Sequence, residues 1–296
     1  MSTRAHRCET AAQLFARLGA KHCINSLTSP LFCDLPEGRI HGGDVVEFFG
    51  NEGTGKSEML LNILAGCIVP QHKQCVIFID TDCHFSIIRL VQILEHRLFS
   101  NVSVCVENRE KIIRDCLSRL YYFRCHSSIQ LVETTESLKA ILPKKPEICC
   151  IMIDSISAFY WQNRSSLGES LSEQELHQRR LVSTLKSLVF NYSLAVFATR
   201  GMFAGAIGRN RDDPTQSFMS QQWQKFIRHK FMFVREMSRV DQQSDLDSKE
   251  STCKSDIGTL LWTSGEKWIY KSWLISNRAP PTARTFSIES MGVVFS

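Results

Sequence analysis

Gly50-Asn-Glu-Gly-Thr-Gly-Lys-Ser57 is the stretch whose reading decides the fold. Its spacing, G-x-x-x-x-G-K-[ST], suits a backbone that must curl around phosphate oxygens. Glycine leaves the amide N–H groups open where a side chain would block them. Lys56 supplies a point charge for the outer phosphates, and Ser57 offers a hydroxyl to Mg²⁺. A helix beginning at this point aims its positive dipole end at the anion. The competing reading is a glycine-rich turn that binds nothing. Context weighs against it, because an apolar run, Asp44 to Phe49, precedes the loop and an amphipathic segment, Lys56 to about Cys67, follows before Pro70 stops it.

The same alternation continues outward. Cys75 to Asp80 (CVIFID), Ile148 to Ile153 and Leu194 to Thr199 are short, continuously apolar runs, the pattern of strands buried on both faces. Helical periodicity marks Phe85 to Phe99 and Glu173 to Phe190 between them. Strand, helix, strand in repetition predicts an α/β fold with a mainly parallel sheet and helices on both faces. After Gly201 the period breaks at Gly205, Gly208, Asn210 and Pro214, so 201–219 is expected to be a mobile loop before a short helix at Ser220 to Arg228. Strand candidates at Lys230 to Val234, Trp268 to Ser276, Thr285 to Ile288 and Val293 to Phe295 are expected to form an antiparallel edge, with a polar loop over 238–256. Residues 1–40 form a lead-in arm and 41–296 the core. In the arm, Leu14, Phe15 and Leu18 recur at helical spacing and either dock on a partner or pack on their own domain.

Composition narrows the class of protein. With 296 residues, 43% of them hydrophobic, the chain can build one ordinary core. No run of 18 apolar residues occurs, and the charged opening does not resemble a signal peptide, so a soluble protein with no membrane role is expected. The 12 cysteines lack a CxxC pair, which predicts reduced, packed thiols in an intracellular protein in preference to disulfides or zinc. The net charge of +5 says little overall, but Arg200 to Arg235 holds seven Lys or Arg against Asp212 and Asp213. That segment is the place to expect a phosphate backbone.

Asp154 closes the run Ile148-Cys-Cys-Ile-Met-Ile153 at the C-terminal edge of the expected sheet, where open α/β sheets bind ligands. It is either the Mg²⁺ partner of Ser57 or a cap for the next segment. At these residues a family resemblance becomes specific. IDTDCHFSIIRL (Ile79 to Leu90) resembles a segment of RecA and the eukaryotic recombinases, and DSISAFY (Asp154 to Tyr160), GESLSEQELHQRR (Gly168 to Arg180), QQWQKFIRHKFMF (Gln221 to Phe233) and FSIESMGVVF (Phe286 to Phe295) are similar to later ones, in order. The resemblance implies a RecA-like ATP-binding core that uses ATP and Mg²⁺. Gly50, Asn51, Glu52, Gly53, Thr54, Gly55, Lys56 and Ser57 would hold the phosphates, Arg89 the adenine, and Ser57 with Asp154 the metal. It also implies a nuclear protein of homologous-recombination repair, with single-stranded or branched DNA and another recombinase paralogue, the one lettered D, as partners.

Two departures from the family bear on activity. Asp82 stands where the recombinases place the glutamate that positions the attacking water. One methylene fewer pulls the carboxylate back by ~1.5 Å, and a misplacement of ~1 Å can lower a rate about 10²-fold. Asp82 is thus a weakened catalytic group or a simple turn carboxylate, just as Arg89 is an adenine contact or an exposed helix arginine. Thr199-Arg-Gly201 replaces the family's Thr-Asn-Gln, which removes the amide that couples nucleotide to the DNA loop. Arg209 and Arg211 remain in that loop, for DNA phosphates or merely for solvent. Two functions follow as expectations: an ATP-binding adapter that assists recombinase assembly on DNA, or a weak DNA-dependent ATPase using Asp82.

Overall fold

The computed structural model describes residues 29–35, 37–100, 105–160, 171–202, 219–238, 267–275 and 283–296. Nine strands form one sheet in the order β3-β2-β4-β5-β1-β6-β7-β8-β9. They are β1 (Val45–Gly50), β2 (Cys75–Asp80), β3 (Leu120–Arg124), β4 (Ile148–Asp154), β5 (Ala195–Gly201), β6 (His229–Ser238), β7 (Lys267–Leu274), β8 (Ala283–Glu289) and β9 (Gly292–Phe295). The helices are α1 (Lys56–Ile68), α2 (Ile87–Phe99), α3 (Val106–Leu117), α4 (Ser128–Ile141), α5 (Leu171–Tyr192) and α6 (Gln221–Phe226). β1 pairs in parallel with both β5 and β6, and β2 with both β3 and β4. From β6 onward the pairing is antiparallel.

The β1, β2 and β4 strands are buried along their whole length because each face of the sheet carries its own core. On one face Val46 and Phe48 of β1 pack with Leu60 and Leu64 of α1 and Leu90 of α2. On the other, Val45 joins Leu185 of α5 and Trp223 of α6. Two-sided burial explains why these strands lack the polar alternation of a half-exposed sheet. α1 ends where Val69 turns extended, ahead of Pro70. α2 starts at Ser86, whose hydroxyl accepts from the Arg89 amide at 3.2 Å.

The expected strands and helices are present, with ends that differ by one to a few residues. Three features depart from expectation. Residues 29–40 do more than lead in: Leu31, Phe32, Leu35 and Ile40 are buried in the α1-side core. β6 joins the parallel part of the sheet through β1, so the antiparallel edge begins only at β7. The stretch from α3 to α4 adds an edge strand, β3, not among those expected from the sequence, whose residues are only half-buried. Leu14, Phe15, Leu18 and most of the 201–219 and 238–256 segments lie outside the described residues. Among the described residues, no helix is long and apolar enough to cross a membrane.

Candidate functional site

The loop between β1 and α1 sits at the C-terminal edge of the parallel strands. Gly53 and Gly55 adopt φ of +68° and +87°, a region that side chains rarely enter. Gly50 is needed for a different reason: a Cβ there would lie 2.3 Å from the Phe233 carbonyl oxygen on neighbouring β6. Thr54 Oγ1 donates to the Asn51 carbonyl at 2.8 Å and tightens the turn. Asn51 and Glu52 are exposed on its outer side. Lys56 Nζ points into the loop and donates to the carbonyls of Gly50 at 3.0 Å and Asn51 at 2.5 Å. Burial lowers its ammonium to about 8, against the opposing charges of Asp154, Glu52 and Asp82.

Asp154 ends β4 beside this loop. Its buried carboxylate accepts from the Thr199 hydroxyl at the end of β5 and is hydrogen-bonded to the Ser57 hydroxyl. Burial raises its pKa above the usual carboxylate range, while these two hydroxyls pull it down. The Asp154–Ser155 peptide is cis, and Thr81 Oγ1 donates to the Ser155 carbonyl at 2.6 Å. The Thr81 and Asp82 amides both approach the Asp154 carbonyl, at 2.8 and 3.3 Å, which ties the end of β2 to the end of β4. Asp82 stands exposed on the rim, within the electrostatic reach of both Asp154 and Lys56. Desolvation and the neighbouring Asp154 charge raise its carboxyl. Asp80, one step back, is buried and accepts from Tyr122 Oη at 2.9 Å.

Arg89 is hydrogen-bonded to groups on two separate elements. Its Nε donates to Glu58 Oε1 at 2.7 Å, and its Nη1 to the Ser290 carbonyl at 2.8 Å, with a further bond to the Glu289 carbonyl. Arg89 therefore clamps α1 and α2 to the β8–β9 turn. The same hairpin covers the loop, since a Cβ on Gly55 would meet Ile288 and Phe286 at 3.1 and 3.2 Å. Arg235 of β6 lies over the Trp268 ring at 4.3 Å and brings its guanidinium beside Gly53.

Thr199-Arg-Gly201 is explained by an ion pair. Arg200 is 1% exposed, and its Nε lies 3.2 Å from Glu47 Oε1 on β1. Glu47 also accepts from Trp223 Nε1 at 2.7 Å, and the Arg200 guanidinium lies 4.9 Å from the Phe49 ring centroid. Arg200 is thus a core residue, and the coupling amide has no replacement at Gly201. Arg209 and Arg211 lie outside the described residues. Next to the roots of their segment, Arg179, Ser220, Gln221, Gln222 and Lys225 line a hollow of about 450 Å³.

Lys56, Ser57, Asp82 and Asp154, the residues singled out from the sequence, are electrostatic neighbours at the strand ends. Sequence patterning missed Glu58, which fixes Arg89, and Glu47, which fixes Arg200; an isolated acid in an apolar strand, as at Glu47, was the available signal. The residues fit a magnesium nucleotide. Gly53 and Gly55 take the positive φ that such a loop needs, Lys56 Nζ is held among the described residues by loop carbonyls and the Thr54 hydroxyl, and the Ser57 hydroxyl and Asp154 carboxylate form an oxygen pair suited to a hard cation.

A phosphate loop at the edge of a central parallel strand, with an aspartate closing the strand two places away in the sheet, defines the class: a RecA-like α/β core. The Rad51 family profile matches residues 23–222. The chain is 36% identical to DNA repair protein XRCC2 of Mus musculus over 265 residues, covering 84% of this chain and 92% of that one. It is 27% identical to the DNA repair protein XRCC2 homolog of Arabidopsis thaliana over 291 residues, 76% of each chain. Identity to DNA repair protein RAD51 of Saccharomyces cerevisiae is 24% over 204 residues, 67% of this chain and 47% of that one. The chain belongs to the Rad51 family.

Proposed function

We propose that this chain is an ATP-binding, RecA-like subunit of a homologous-recombination DNA repair complex in the nucleus, acting as an adapter more than as an engine. The observation that carries this reading is the proximity of Lys56, Ser57 and Asp154 at one edge of the sheet, with Asp82 exposed on the rim. In this reading Lys56 exchanges its loop carbonyls for the outer phosphates of ATP, and the Ser57 and Asp154 oxygens hold Mg²⁺. Binding of nucleotide would stabilise the core by mass action, about 2.7 kcal/mol at a hundredfold excess over the dissociation constant, without turnover. The relatives named as DNA repair proteins support the repair role. The partner is proposed to be another RecA-like paralogue, the one lettered D, with DNA phosphates met by Arg209 and Arg211.

A second reading, a weak DNA-dependent ATPase, draws on Asp82 standing within the fields of both Lys56 and Asp154. Phosphate release by the purified partner complex separates the two. Equal rates for wild type and Asp82→Asn favour the adapter, whereas a large drop in Asp82→Asn supports the ATPase. Lys56→Ala is expected to weaken nucleotide binding and to leave partner capture intact; loss of the partner complex in that variant counts against the adapter.

A further inference from the structure

We propose that Cys67, Cys149 and Cys150 form a three-thiol binding site for a trivalent arsenical, the class of thiophilic ligand that takes three sulfurs and leaves no net charge. The three Sγ atoms lie within 4.8 Å of one another, and all three side chains are fully buried. A backbone irregularity creates the cluster. Between the pairs Cys75 with Ile148 and Val76 with Cys150, Cys149 is an extra residue on β4, a β-bulge. In a regular strand Cys149 and Cys150 would point to opposite faces. Here both belong to the α1-side core, together with Cys67 from the last turn of α1.

The ligand class follows from size and charge. Trivalent arsenic keeps a lone pair and holds its three sulfurs in a pyramid, so at a bond length near the ~2.3 Å of a metal–thiolate bond the sulfurs stand roughly 3.5 Å apart, and three Sγ atoms already within 4.8 Å of one another need draw together by only about 1 Å. Structural zinc requires a fourth ligand, and no further Cys, His, Asp or Glu joins this group among the described residues. A tris-thiolate of a monovalent or divalent cation would carry negative charge into an apolar core, at a large desolvation cost. Arsenous acid avoids that charge. Its three hydroxyls leave as water with the three thiol protons, three As–S bonds form, and the product As(SR)₃ is neutral with no change of oxidation state. The thiol protons are retained until then, since the Cys149 and Cys67 thiols and burial hold Cys150 well above the ordinary thiol range. A groove of about 410 Å³ lined by Gly66, Val69 and Arg97 flanks the last turn of α1, and since none of the three cysteines lines it, entry needs that turn to open. Helix ends open at low free energy.

The test uses the reduced full-length chain with arsenite and does not depend on nucleotide. After desalting, native mass spectrometry is expected to show one arsenic retained in place of three hydrogens, with arsenic-edge X-ray absorption reporting three sulfur neighbours. Alkylation during unfolding in urea, mapped by peptide mass, should spare Cys67, Cys149 and Cys150 only when arsenite was bound. Retention should be lost in Cys67→Ala and Cys150→Ala and kept in Cys83→Ala. The proposal is overturned if no arsenic is retained, if protection maps to other cysteines, or if folded Cys150→Ala keeps a three-sulfur arsenic site. Should the core variants fail to fold, the wild-type protection map decides alone.

Discussion

Glu47→Ala is predicted to destabilise the chain by about 3–5 kcal/mol, the range for removing one partner of a buried ion pair. Glu47 is 0% exposed and serves three groups at once: Arg200 Nε at 3.2 Å, Trp223 Nε1 at 2.7 Å and Lys230 Nζ at 3.9 Å. Its removal leaves the 1%-exposed Arg200 charge facing an alanine, and the core excludes the water that would solvate it. The double replacement of Glu47→Leu with Arg200→Met removes both charges and should recover part of the loss, the rest remaining because the buried Trp223 Nε1 still lacks its acceptor. Urea unfolding followed by Trp fluorescence measures both, because Trp223 contacts Glu47 directly. A loss below about 1 kcal/mol for Glu47→Ala, the range of exposed pairs, would refute the buried-pair reasoning. So would a double variant less stable than the single one.

Three further outcomes are expected. Gly50→Ala places a methyl group 2.3 Å from the Phe233 carbonyl oxygen, so β1 and β6 must separate locally; a loss of about 1–3 kcal/mol in thermal or urea melts is predicted, and an unchanged midpoint contradicts the close approach. Arg89→Ala releases Glu58 and the β8–β9 turn, and should speed amide exchange in β9 even without nucleotide; unchanged exchange would mean that the clamp carries no stability. Lys56 has its pKa lowered to about 8 by burial, and only its charged form attracts phosphate, so nucleotide affinity should be full below pH 8 and fall as pH rises through it; a flat profile from about 7.5 to 9.5 contradicts this. The corresponding effect on the nucleotide-free fold has the opposite sign. Between about 8 and the unfolded value of ~10.4, the unfolded chain binds more protons at this lysine, so the contribution of Lys56 to stability rises with pH.

The central sheet was legible because its strands are buried on both faces, which makes CVIFID and ICCIMID continuous apolar runs. Such runs hide what happens within them: nothing in Ile148-Cys-Cys-Ile marks the bulge that turns two neighbouring thiols to one side. β3 differs in that Leu120-Tyr-Tyr-Phe123, although a short apolar run, stays partly exposed at the sheet edge. Lys56 and Ser57 could be singled out because the spacing of their loop is local, and Asp154 because it closes a continuous apolar run. Arg89 and Arg200 could not be placed, since their partners lie far along the chain. Glu289 and Ser290 hold the one, and Glu47 holds the other. An arginine at a strand end looks like part of a basic loop until the acid facing it is known.

The proposed function requires the loop around Lys56 to close on a triphosphate. Calorimetric titration of the chain, alone and with its paralogue partner, against ATP with magnesium tests this. Saturable one-to-one binding in wild type, strongly weakened in Lys56→Ala, is the predicted result. No heat in either preparation, or equal binding by Lys56→Ala, would contradict it and leave the RecA-like core as a scaffold alone.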